Sequence, residues 1–199
     1  ASVSSTLTAY NVTALAENGS GDVGNYALGC YDHSTATLHG GVFIARGGVN
    51  NYALSNEDTV TMEAENVTAL AEDGSNSNHG LWNANNATLV LHGASLTGRW
   101  GTNAYGISNR DMGTTLVVGT VTALGESGSS NNYGLYNASS ATADVTQGVL
   151  EGATNSVLRN SGSITVSNSR LVGNAVSGSV ICVLVTRGTN VSTDGSSCP

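Results

Sequence analysis

Apolar residues recur along this chain in short bursts, and the bursts themselves recur. One hydrophobic position returns at Leu7, Leu38, Met62, Leu91, Leu116, Val145 and Val166. A second follows five residues later each time, at Val12, Phe43, Val67, Leu96, Val121, Leu150 and Leu171, and two further on stands a small residue, Ala14, Ala45, Ala69, Gly98, Ala123, Gly152 or Gly173. A third column comes from a repeated phrase, Asn132-Tyr133-Gly134-Leu135-Tyr136-Asn137, whose echoes align Leu28, Leu54, Leu81, Ile107, Leu135 and Leu158. Within each burst the apolar positions are two apart, which is strand and not helix periodicity. Self-similarity at a period of 20 to 50 residues marks a solenoid. The pattern predicts an all-β parallel solenoid of about seven coils, each with three short strands.

The first column advances in steps of 21 to 31 residues, averaging about 26, and the steps alternate long and short. This predicts a pair of coils as the repeating unit. Stacking places like side chains on like. The phrase-closing Asn56, Asn83, Asn109, Asn137 and Asn160 are therefore expected to form an inward amide ladder. Tyr26, Tyr52, His79, Tyr105 and Tyr133 are expected to stack on the Leu side, while Trp82 and Tyr136 face out. Outward threonines fall in two partial files, Thr6, Thr37, Thr61, Thr115 and Thr165, and Thr13, Thr68, Thr97 and Thr122. Val90, Asp144, Ile44 and Glu151 interrupt them, which argues against a flat ice-binding lattice.

Composition narrows the function. The chain has 199 residues, a formal charge of −8 and six Lys and Arg together, too little positive charge for a phosphate backbone, so nucleic acid is not an expected partner. No apolar run approaches the ~18 residues of a membrane span. The length predicts one domain over 1–199, with repeating coils over 1–177 and a terminal coil and tail over 178–199, where Val180 to Val185 is almost wholly apolar. Cys182 and Cys198 flank a Gly/Ser/Thr-rich tail that a disulfide would staple, which favours an oxidising compartment. Cys30 stands where other coils have Asn and is expected to be a buried free thiol.

The repeated Asn-Val-Thr-Ala stretches, the Gly/Ser loops after them and the Asn-Tyr-Gly-Leu-x-Asn phrases resemble the right-handed parallel β-helix repeat proteins of bacteria and phages, from about Leu7 to Asn160. The resemblance implies a right-handed coil and a rigid extracellular or surface scaffold. That family includes tail-fibre-like proteins, surface adhesins and polysaccharide-cleaving enzymes.

Enzymes of that kind would need clustered aspartates or a Gly-His-Gly motif. Here the seven Asp are scattered, at most one per coil, and catalytic residues are not expected. His39, Glu63 and His92 each follow a first-column hydrophobe and are the weak candidates for a metal, leaving room for a divalent cation although no cofactor is expected. Glu17, Glu72 and Glu126 alternate with Arg46 and Arg99, as an acidic ridge or a salt-bridge ladder that fixes register. Trp82, Trp100 and Tyr136 are the glycan-binding candidates, since aromatic rings offer apolar faces to sugars. The expected function is a non-enzymatic, extracellular or cell-surface structural or adhesive element, stacking head to tail with copies of itself. A glycan-binding module is the alternative, and a polysaccharide lyase or hydrolase the third reading.

Overall fold

The structure is a computed structural model and describes residues 5–19, 24–173, 176–187, 190–192 and 198, the last short strand by its backbone alone. It is a parallel β-solenoid, with no helix among these residues. A 12-stranded sheet opens with five long strands, β1 (Thr6–Glu17), β3 (Thr35–Arg46), β5 (Thr61–Glu72), β7 (Thr88–Arg99) and β9 (Thr115–Glu126). Between them run β2 (Asn25–Cys30), β4 (Asn50–Asn56), β6 (Ser77–Asn83), β8 (Asn103–Asn109) and β10 (Asn131–Asn137), which with β13 (Asn155–Arg159) form a six-stranded sheet. The long strand then divides: β11 (Thr142–Thr146) and β12 (Val149–Gly152) both pair with β9, and β14 (Ser163–Ser167) and β15 (Arg170–Gly173) continue them. The chain closes with β16 (Ile181–Val183), β17 (Val185–Arg187) and β18 (Asn190–Ser192). There are about five full turns, not seven, because the later layers carry only short strands. The first two expected strands of each coil are one kinked strand in those five turns.

The alternation of long and short coils is corrected by the register. Leu7 lies beside Ala36, Met62, Leu89, Leu116, Ala143 and Ile164, whereas Leu38 lies with Ala9, Ala64, Leu91, Val118, Val145 and Val166. The apparent first column thus zigzags between two inward columns two residues apart. The second does the same: Val12, Val67 and Val121 share one file, and Phe43, Leu96 and Leu150 the next. Small residues fill the complementary places, Gly41 and Ala94 in the first file, Ala14, Ala69 and Ala123 in the second. The coil pair is real as packing. Large side chains nest against small ones from turn to turn, as close packing of a stacked interior requires.

Corners are made by left-handed backbone. The kink within the long strand falls at Asn11, Gly40, Asn66, Gly93, Thr120, Gln147 and Asn168, all at positive φ. At Gly93, with a φ of 61°, the missing side chain also makes room, since a Cβ would lie 2.5 Å from Asn66 Oδ1. Another corner follows the long strand, at Asn18, Gly47, Asp73, Trp100 and Ser127, and a third follows the short one, at pairs such as Asp32-His33 and Asn85-Asn86. Asn, Asp and Gly tolerate this conformation best. Their abundance is corner chemistry.

The amide ladder is present on the interior side of the six-stranded sheet. Asn56 donates its side-chain amide to Asn83 (2.8 Å), Asn83 to Asn109 (2.8 Å) and Asn109 to Asn137 (2.7 Å). Each also bonds the carbonyl of a threonine that opens a strand one turn further on, Thr88, Thr115 or Thr142. Asn160 is not a rung. Val157 and not Leu158 pairs with Leu135, so Arg159 takes the ladder position and Asn160 is exposed. A second buried ladder went unanticipated: Asn25 donates to Asn51 (2.9 Å) and Asn51 to Asn78 (2.8 Å), at the opening residue of the phrase.

The two ends differ. Among the described residues no strand pairs with the outer edge of β1, and its inward residues Leu7 and Val12 keep 39% and 37% exposure. At the other end β18 runs antiparallel to β17, Cys182 is bonded to Cys198 as expected, and Ile164, Leu171 and Val185 are buried. Much of the expected tail, residues 188–189, 193–197 and 199, lies outside the described residues, as do Asp22 and Asp194.

Candidate functional site

The outer face of the six-stranded sheet is a continuous aromatic surface. Tyr26 stacks on Tyr52 with centroids 4.7 Å apart, Tyr52 on His79 at 5.1 Å and His79 on Tyr105 at 4.4 Å, with Tyr133 tilted beyond at 5.6 Å. This corrects the expected inward placement of the stack. The small residue after each ring points inward instead: a Cβ on Gly80 would sit 2.6 Å from the backbone nitrogen of Thr97. Strand pairing passes over that position, so Leu81 also faces the core while His79 and Trp82 face out. Burial pushes the Tyr52 and Tyr105 phenols up to about 12. Burial first, and Arg110 second, push His79 down to about 3, so its ring is neutral.

Trp82 and Tyr136, two of the glycan candidates, belong to this face. Trp82 meets Tyr52 and His79 edge-on, and Tyr136 packs on Tyr105 and Tyr133. They occupy one file, Ser55, Trp82, Ser108 and Tyr136, in which ring and small residue alternate. Above Ser108 the Arg110 guanidinium fills the gap, 5.1 Å from the Trp82 ring and 5.5 Å from Tyr136. Ser108 Oγ and His79 Nδ1, both buried, have no hydrogen-bond partner among the described residues.

Trp100 stands apart. It occupies the corner after β7 at a φ of 63°, a conformation poorly suited to a bulky side chain, and its ring is covered by the Arg99 guanidinium at 4.3 Å. No ring contact joins it to Trp82 or Tyr136 among the described residues.

The three metal candidates do not converge. His39 and His92 share a file with Glu65, whereas Glu63 lies in the next file between Thr37 and Val90. His39 bonds Glu65 at 2.5 Å and stacks on Tyr10, and His92 leans the other way, over Gly119. These side chains line a shallow recess of about 280 Å³. No set of three or more His, Cys, Asp or Glu side chains is gathered for a metal among the described residues.

The alternating charges form a ladder. Glu17, Arg46, Glu72, Arg99 and Glu126 share one file, with Arg46 paired to Glu17 and Arg99 to Glu72. The exposed Arg46–Glu17 pair contributes about 0.2 to 1 kcal/mol, while the Arg99–Glu72 pair also covers a buried carboxylate, and both fix register. The threonines are more regular than expected. Thr6, Thr35, Thr61, Thr88, Thr115, Thr142 and Ser163 make one unbroken hydroxyl file, but the neighbouring file reads Thr8, Thr37, Glu63, Val90, Val117, Asp144 and Thr165. One file is a line and not a lattice.

No family model, curated protein or solved structure matches the chain. The fold and the geometry of its faces therefore carry the functional argument. Sequence reasoning passed over Arg110, which follows the phrase and belongs to no repeated column. The alternation of Trp82, Ser108 and Tyr136 in one file was the signal that would have found it.

Proposed function

We propose that this solenoid is a non-enzymatic structural element of an extracellular or surface assembly, joined to a further β-coil through its β1 end. The contrast between its two ends supports this reading most directly. A 12-residue strand whose outer edge has no partner among the described residues, and whose inward Leu7 and Val12 are more than a third exposed, is a template for another strand. The opposite end is turned away from such pairing by the antiparallel β17–β18 and the disulfide. The disulfide is also consistent with an oxidising setting. No helix among the described residues is long and apolar enough to cross a membrane.

Head-to-tail growth needs both ends open. With the disulfide intact, association through β1 is expected to give short end-joined species, and long filaments only after reduction. Light scattering on the purified chain tests this. Concentration-dependent association, abolished by Val12→Lys with the fold retained, is the expected result. A strictly monomeric chain at high concentration overturns the reading.

A further inference from the structure

We infer that Arg110, with Trp82 and Tyr136, forms a binding site for a sugar carrying an isolated carboxylate. Four of the other five arginines have acceptors. Arg46 and Arg99 pair with Glu17 and Glu72, while Arg159 and Arg187 donate to the carbonyls of Gly162 and Gly173. Arg170 is simply exposed. Arg110 is half-buried between two rings, yet its guanidinium has no carboxylate or carbonyl acceptor among the described residues. A guanidinium held out of full solvent with its donors unused is matched to an incoming planar anion, which it can bind through two parallel hydrogen bonds.

The surroundings select the rest of the ligand. Trp82 and Tyr136 lie two rungs apart, about 9.6 Å at ordinary ladder spacing, and flank the cation with apolar ring surface. Tyr133 donates its hydroxyl to Asn131, one of a file of half-exposed amides that includes Asn103. Rings interleaved with hydroxyls and amides suit a sugar better than an apolar peptide. The charge limits are equally definite. Glu57 acts on Tyr26 and Tyr52 of the same face, and the chain carries −8 overall. One cation in an acidic protein accommodates one carboxylate, and a densely sulfated chain is repelled.

The test uses the full chain in a Trp100→Phe background, so that fluorescence reports on Trp82 alone. It is titrated with an oligosaccharide ending in a uronic acid, with its carboxyl-reduced counterpart and with a polysulfated oligosaccharide of equal length. Saturable binding of the uronate is expected, at least tenfold tighter than the reduced sugar and no weaker than the polysulfated one. It should fall at least tenfold in both Arg110→Gln and Arg110→Met, with thermal unfolding unchanged as the control for folding. Equal binding of uronate and reduced sugar, binding indifferent to both substitutions, tightest binding of the polysulfated sugar, or no saturation at millimolar concentration each overturns the inference.

Discussion

At the β1 end of the solenoid the inward residues Leu7 and Val12 remain more than a third exposed, whereas at the other end Val166 and, within the closing strands, Cys182 and Val185 are fully buried. Both ends interrupt the same stack of parallel strands. The difference shows that stability here belongs to neighbours: a coil is only as secure as the coils on each side. Interior turns are bonded twice, the last turn is tied covalently, and the first has one neighbour among the described residues.

The largest contrast is expected within the amide ladder. Asn83→Leu would take one of the two acceptors of the Asn56 amide and remove the donor to the side-chain oxygen of Asn109 and to the carbonyl of Thr115. At about 1 to 3 kcal/mol per buried group, chemical denaturation should record a loss of roughly 3 to 6 kcal/mol. Next comes burial. Leu81→Ala, at a wholly buried site, should lower stability by about 2 to 5 kcal/mol, and Leu7→Ala by less than about 1.5 kcal/mol because its side chain is already partly in water. Equal losses in the two variants would mean that the first coil is covered.

The closed end should respond to its staple. Cys182→Ser with Cys198→Ser removes a bond spanning 16 residues and should destabilise by about 3 kcal/mol, with the loss confined to β16 and β17 in hydrogen exchange. Within the buried aromatic stack, His79 gives a pH dependence. Its folded value is about 3 against an ordinary 6.5, so between these limits the unfolded chain binds more protons. Stability should therefore decline as pH falls from about 6.5 toward 3. His79→Phe keeps a ring in the stack and should flatten that part of the curve. Smallest is a gain. Cys30, whose thiol pKa burial pushes up, stands beneath Asn56, whose Oδ1 has no partner among the described residues. Cys30→Asn should add a rung and about 0.5 to 1.5 kcal/mol, measured by urea midpoint.

The parts legible in the sequence were those with a single inward choice. Leu54, Leu81, Ile107 and Leu135 lie in one file, as do Asn56, Asn83, Asn109 and Asn137. The long strands were less legible because a period of two makes Leu7 and Ala9 equally inward, and large residues alternate between the two positions from turn to turn. Pattern matching then follows size across the files. Glu63 was set beside His39 for that reason, where Glu65 belongs. Asn160 was misplaced because β13 is offset by one residue against the earlier phrases. The aromatic face was unreadable at its bend, since two successive inward residues, Gly80 and Leu81, break the alternation that sequence reasoning relies on.

Hydrogen exchange at two protein concentrations tests the central claim most directly. If the β1 end is where this solenoid joins another coil, the amides of Thr6–Glu17 should gain protection as concentration rises, while those of β16 and β17 stay unchanged. Protection of β1 that is independent of concentration, or a gain confined to β16 and β17, would contradict it.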